Sequence, residues 1–79
     1  MYSSERINDT SKCYHERIYF DDKVVAIIQD YYKPTNIGLM RMYHYVITSD
    51  HKCAQGFYTV SDAKAELFPL LDSQLLTTK

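Results

Sequence analysis

The sequence has little glycine and proline, with two of each among 79 residues, and it has no tryptophan. Because glycine and proline interrupt helices and strands, their scarcity predicts regular elements joined by short turns. Two cysteines are too few for a disulfide scaffold. A chain of this length forms one domain at most, with a small core that favours binding over catalysis in a deep cleft.

Neither charge sign dominates, because 9 basic and 10 acidic side chains give a net charge of −1. General nucleic-acid binders usually carry a basic excess and mimics of DNA an acidic one, so neither class is favoured. The longest uninterrupted apolar run, residues 24–28, is too short to span a membrane. The first twelve residues are polar, so we expect no signal peptide, reduced thiols and a cytoplasmic location.

Four strands are predicted from runs rich in β-branched and aromatic residues, and eight tyrosines fit this reading. The first twelve residues lack periodicity and are predicted to form a flexible tail, which leaves residues 13–79 as a single domain. Short links favour an antiparallel meander. The predicted strands are residues 13–20, 23–32, 39–49 and 54–60, with a loop at 33–38.

The last segment has helical spacing, with apolar residues at 63, 67, 70 and 71. Thr59 and Asp62 match a capping box, in which the threonine accepts a backbone hydrogen bond at the start of the helix. Pro69 is predicted to kink or end this helix near Phe68. The predicted fold class is therefore α+β, a four-stranded antiparallel meander with one C-terminal helix packed on one face (ββββα).

The junction before the helix has the pattern F-x-T-x-x-D-A from Phe57 to Ala63, followed by Leu67. It resembles the last-strand-to-helix junction of the arm-type DNA-binding domains of phage integrases and of WGR domains. The resemblance covers only this short segment and implies a shared way of docking a helix on a sheet. Those domains are more basic, and this chain has no Trp-Gly-Arg motif.

The resemblance also implies that Phe57 points toward the helix. Pairing Thr48 with Cys53 across a four-residue loop would then place the even-numbered residues of the third strand under the helix. The odd-numbered ones would form an exposed aromatic face. The residues predicted to bind a partner on this face, with the first strand contributing two, are Arg41, Tyr43, Tyr45, Tyr58, Arg17 and Tyr19.

Three interpretations of this face remain open. Tyrosine is common in strands for structural reasons alone. Tyrosine and arginine also anchor protein interfaces, which includes self-association. Alternatively, the rings stack on single-stranded bases while Arg17, Arg41, Lys33 and Lys23 contact phosphates. The last interpretation requires these cations to converge near the rings, whereas protein docking does not.

The two cysteines lie in C-x-H and H-x-C patterns, Cys13 with His15 and His51 with Cys53. Two cysteines and two histidines can bind zinc, but a meander places these pairs far apart, so no metal site, disulfide or other cofactor is predicted. No catalytic motif is present, and no catalytic residue is assigned.

We therefore expect a small non-enzymatic regulator or inhibitor that docks on a larger protein through the Tyr/Arg sheet face or a strand edge. Compact, neutral proteins of this kind are common in phages and mobile elements. A nucleic-acid-binding module and a structural subunit of an assembly are the alternatives, and no membrane partner is expected.

Overall fold

The computed structural model describes residues 1–9 and 13–77. Five strands form one antiparallel sheet in the order β1-β2-β3-β4-β5, and a single helix follows them. The predicted meander with one C-terminal helix is thus confirmed, with one additional strand. The elements are β1 Tyr2–Asp9, β2 Tyr14–Phe20, β3 Lys23–Thr35, β4 Gly38–Ile47, β5 Cys53–Phe57 and α1 Val60–Thr77.

The additional strand, β1, lies where a flexible tail was predicted, so that prediction is wrong for residues 2–9. Residues 10–12 lie outside the described residues. β1 pairs antiparallel with β2 over most of its length. Tyr2 fixes its start, because its ring packs edge-on against Phe20 and Phe68 and its hydroxyl donates to Asp72. Contacts distant in sequence therefore order this segment, although its polar composition resembles that of a loop.

The predicted loop at residues 33–38 is almost entirely strand, and only Asn36 and Ile37 form the turn. Thr35 pairs with Gly38 across it. The Thr35 hydroxyl accepts a hydrogen bond from the Ile37 N–H and donates to the Gly38 carbonyl. Gly38 has φ of +125°, which L side chains rarely adopt. β3 and β4 therefore form a long hairpin.

The helix begins as predicted, because the Thr59 hydroxyl accepts a hydrogen bond from the Asp62 N–H at 3.1 Å. Pro69 does not end the helix near Phe68, which was one of its two predicted effects, because the helix continues through Pro69 to Thr77. Pro69 is on the exposed side, where water can solvate the carbonyl that loses its partner. Buried Leu67 and Leu71 hold the helix to the sheet on both sides of the proline.

The core lies between α1 and one face of the sheet, which we call the helix face. Residues paired across neighbouring strands share a face, and the pairs along Ile18, Ala26 and Ile47 define this side. Leu67 packs against them and has no accessible surface. The opposite side of the sheet, which no helix covers, is called the open face.

Candidate partner-binding surfaces

The face assignment predicted for β4 is wrong. Phe57 does lie on the helix face, but it pairs with Tyr43 rather than with His44. The register shifts by one residue between Tyr43 and His44, where Gly56 adopts φ of +95°. One extra residue in a strand moves the following side chain to the other face. The bulge therefore places Tyr43, Tyr45 and Ile47 under the helix and Met40, Met42, His44 and Val46 on the open face.

Tyr45 is a core residue and is only 2% exposed. Its ring stacks on Phe57 with centroids 5.7 Å apart, and its hydroxyl donates to Glu66 of the helix at 2.9 Å. Burial, together with the Glu66 carboxylate, raises the pKa of Tyr45 to about 12. Tyr43 is also partly buried and meets Tyr14 edge-on. These two tyrosines support the fold and do not form a free aromatic surface.

Arg41 is on the helix face as well and already has partners within the chain. Its Nε lies 3.1 Å from a carboxylate oxygen of Asp30, and its guanidinium lies 5.5 Å from the centre of the Tyr43 ring. The ion pair and the cation–π contact fix the side chain along the surface of the sheet. Arg41 is therefore less accessible to a partner than the sequence suggested.

Three predicted site residues are accessible, but they do not form one cluster. Arg17 and Tyr19 lie on the open face, where the Tyr19 hydroxyl donates to Glu5. Within the described residues, Arg17 makes no ion pair. Tyr58 follows β5 and is 67% exposed. The open face thus retains part of the predicted Tyr/Arg set, and the rest supports the helix.

The open face also carries polar and aromatic residues, two of which, Met42 and His44, the face assignment had placed under the helix. The side-chain amide nitrogen of Gln29 lies within hydrogen-bond distance of His15 Nδ1, at 3.2 Å. The Tyr31 ring meets His44 edge-on, and its hydroxyl points at the sulfur of Met42. These contacts link neighbouring side chains across the open face.

The cations required for nucleic-acid binding do not converge. Arg41 lies on the helix face, and Lys23 is at the β2–β3 turn. Arg17 pairs with Ile27, which is six residues before Lys33 along β3, a separation of about 20 Å. Arg17 and Lys33 therefore share the open face but stand apart along it, and Arg41 lies on the other face.

The two cysteines are also distant from each other. Cys13 precedes β2 at one end of the sheet, while Cys53 begins β5 at the other end and three strands away. Both are described and exposed, and no disulfide joins them. Among the described residues, no group of three or more His, Cys, Asp or Glu side chains could hold a metal ion.

The most exposed apolar surface lies on the β3–β4 hairpin beyond the rest of the sheet. β2 pairs with β3 only as far as Gln29, and β5 pairs with β4 only from Tyr43 onward. We call the two-stranded extension, residues 31–42, the arm. Ile37 is 95% exposed and Leu39 is 71% exposed, and Tyr32 and Met40 are also exposed. An exposed apolar patch of this kind is typical of a contact surface.

Sequence reasoning missed the arm because Pro34, Asn36 and Gly38 together indicate a loop. The available signal was the strand pattern on both sides of Asn36 and Ile37. A two-residue turn can join such strands directly, and Gly38 then supplies the left-handed position.

A buried charge network lies between the sheet and the helix. Glu16 is 1% exposed; it accepts hydrogen bonds from the Tyr14 hydroxyl and from the Lys64 ammonium, the latter at 2.9 Å. Burial alone would raise the pKa of Glu16, but hydrogen bonds from Tyr14, Lys64 and Ser4 and the Lys64 charge together lower it. Because both carboxylate oxygens of Glu16 already accept hydrogen bonds, we assign this residue a structural role in holding the helix to the sheet.

Comparison with known proteins gives no relative from which a role could be transferred: no family model, no curated protein and no solved structure matches this chain. Among the described residues, no helix is both long and apolar enough to cross a membrane.

Proposed function

We propose that this protein is a small, non-enzymatic regulator or inhibitor that docks on a larger protein through the arm. The observation that supports this proposal most is the exposure of Ile37 and Leu39 at the end of a long hairpin. Burial of large apolar side chains is favourable, by about 25 cal/mol for each Å² of apolar surface removed from water. Such side chains at the centre of an interface commonly contribute most of its binding energy.

The edge of β4 in the arm offers a second means of binding. From Gly38 to Met42 this edge has no strand partner among the described residues. The opposite edge of the arm carries Lys33 and Pro34, which are typical devices against strand pairing, whereas the β4 edge carries no proline or lysine. An extended segment of a partner could add to β4 and cover Leu39 or Met40 at the same time.

The cytoplasm is the proposed location. Two exposed cysteines that form no disulfide suit a reducing compartment. In that setting, a regulator or inhibitor would use the packed helix and sheet as a support and the arm as the contact element.

A nucleic-acid-binding role is the second candidate, and Arg17 beside Tyr19 on the open face is the observation in its favour. Fluorescence anisotropy of labelled random-sequence DNA and RNA, at low and near-physiological salt, distinguishes the two. The proposal predicts no binding at low salt. Micromolar binding that weakens steeply with salt and is lost in Arg17→Ala would favour the alternative.

The direct test is affinity purification of wild type beside the double variant Ile37→Ser/Leu39→Ser. The matched control is Leu70→Ser, because Leu70 is an exposed leucine on the helix, outside the arm. We expect a stoichiometric protein partner that the arm variant loses and the control retains. A partner bound equally by all three would contradict docking through the arm.

A further inference from the structure

The described residues include a cavity of about 350 Å³ at the end of the molecule opposite the arm. It lies between the β2–β3 turn, the end of β4 and the second half of the helix. Phe20, Val24, Val25 and Leu71 give it apolar walls, while Thr48, Ser49, Lys23 and Gln74 surround them. This volume exceeds that of one aliphatic side chain, so an isoleucine side chain can enter the cavity.

From these features we infer that the cavity receives the arm of a second copy of this chain. This inference rests on the proposed role of the arm in binding and names one partner for it. The arm presents Ile37 at its tip, and the cavity offers an apolar site for such an anchor. An exposed apolar side chain and a complementary pocket elsewhere on the same protein surface are the elements of a contact between copies.

The arm cannot reach the cavity of its own chain. β3 runs from Lys23, which lines the cavity, to Thr35 beside the tip, and thirteen residues of strand separate these ends by about 40 Å. The long axis of the molecule, 48 Å, agrees with that separation. The contact must therefore be between molecules, and it joins the arm of one copy to the cavity end of another.

One carboxylate beside the cavity, that of Asp22, is available to the Lys33 ammonium of an incoming arm. Residues 31–42 carry Lys33 and Arg41 and no acidic residue. The turns beside the cavity carry Asp21, Asp22 and Asp50. Within the described residues, Asp22 and Lys33 make no ion pair. Arg41 pairs with Asp30, the Met1 amino group pairs with Asp21, and Lys23 and Lys52 offset the remaining acidic charge. Apolar contact therefore supplies the affinity, and the Asp22–Lys33 pair supplies orientation.

An arm-to-cavity contact uses a different surface on each of the two copies that it joins. Two copies can exchange arms reciprocally in a closed dimer, or each arm can bind a different copy in an open chain or a ring. Two variants, each defective at a different end, should therefore complement each other and stop at a dimer.

The test is sedimentation velocity of the full chain over a concentration series. Ile37→Ser removes the anchor, and Ser49→Trp places a large ring at the mouth of the cavity from an exposed position. We expect wild type to self-associate and each variant to stay monomeric at concentrations where wild type is assembled, with self-association weakened on the order of tenfold or more. An equimolar mixture of the two variants should give a dimer.

A charge exchange provides a second test if Ser49→Trp does not fold. Asp22→Lys and Lys33→Asp should each weaken assembly by up to about fivefold, and the double variant should restore it.

Wild type that stays monomeric at high concentration would overturn the inference, as would a mixture of the two end variants that stays monomeric. Self-association that Ile37→Ser removes but Ser49→Trp and both charge variants leave unchanged would mean that the arm binds another surface. Failure of self-association leaves the proposed function standing if the arm-dependent partner is still captured.

Discussion

The body of the sheet and the arm are built from the same two strands, β3 and β4, but their side chains have opposite environments. In the body, Ala26, Ile28 and Ile47 are inaccessible or nearly so, because β2 and α1 cover them. In the arm, Leu39 is exposed although its backbone continues the same ladder, and Ile37 is exposed in the turn that joins the strands. The comparison shows that strand pairing alone does not bury a side chain. The body specifies the fold, and the arm is available for contacts.

The largest contrast is expected for truncation of a leucine in each region. Leu67→Ala in the body should lower the free energy of unfolding by about 2–5 kcal/mol, because it leaves a cavity between helix and sheet. Leu39→Ala in the arm should change it by less than about 0.5 kcal/mol. Urea unfolding followed by circular dichroism measures both. Equal losses would mean that the arm is part of the cooperative core.

The Glu16 network should give the next largest effect. Glu16→Gln should lower the free energy of unfolding by about 1–3 kcal/mol near neutral pH, because a neutral amide replaces a buried carboxylate that binds Tyr14 and Lys64. Among the described residues of the arm, the nearest equivalent is the ion pair of Arg41 with Asp30, whose side chains are 25% and 9% exposed. Lys52→Met is the control, since its contact with Asp50 is 4.0 Å long and solvent-exposed, and it should be nearly neutral.

The difference in the free energy of unfolding between wild type and Glu16→Gln changes with pH in one direction, which the pKa of Glu16 determines. The folded state lowers the pKa of Glu16 below its ordinary value of 4.5, so its contribution is fully present above that pH. The contribution is lost as pH falls through the lower folded-state value, where the carboxyl group takes up a proton. The gap between wild type and Glu16→Gln should therefore narrow below pH 4.5. A gap that widens in acid would contradict the assignment.

Two glycines provide the finest comparison. Gly56 and Gly38 both have positive φ, and a Cβ atom at either would meet no other atom within 4 Å. Substitution by alanine therefore introduces backbone strain alone, of about 1–2 kcal/mol. Gly56→Ala should lower global stability by that amount, because the β5 bulge is tied to the helix. Gly38→Ala should lower it less, because opening of the arm tip relieves the strain. The reverse order in thermal unfolding would contradict this division.

The parts that sequence predicted correctly depend on local physics. The Thr59–Asp62 cap needs only residues three apart, and the meander follows from β-branched runs with short links. The predictions that were wrong depend on contacts between residues that are distant in sequence. Tyr2 orders β1 through Phe68, far along the chain, and Leu71 holds the helix beyond Pro69. Neither effect is visible in a local sequence window.

The candidate site was predicted less well than the fold because it depended on which alternate residues of β4 face the helix. One bulge at Gly56 reversed the face of Tyr43 and Tyr45 while leaving every strand in place. Arg17 and Tyr19, outside that hairpin, still lie on the open face. A glycine inside a strand pattern is a known sign of a bulge, and it was the only available signal of this reversal.

Hydrogen exchange of wild type in dilute and in concentrated solution tests the division between body and arm most directly. In dilute solution, amides of residues 31–42 should exchange faster than those of residues 26–28 and 45–47, because two strands alone protect them. On concentration, the arm and residues 20–25 and 48–49 around the cavity should slow together. An arm as protected as the body in dilute solution, or slowing confined to the open face, would contradict the account.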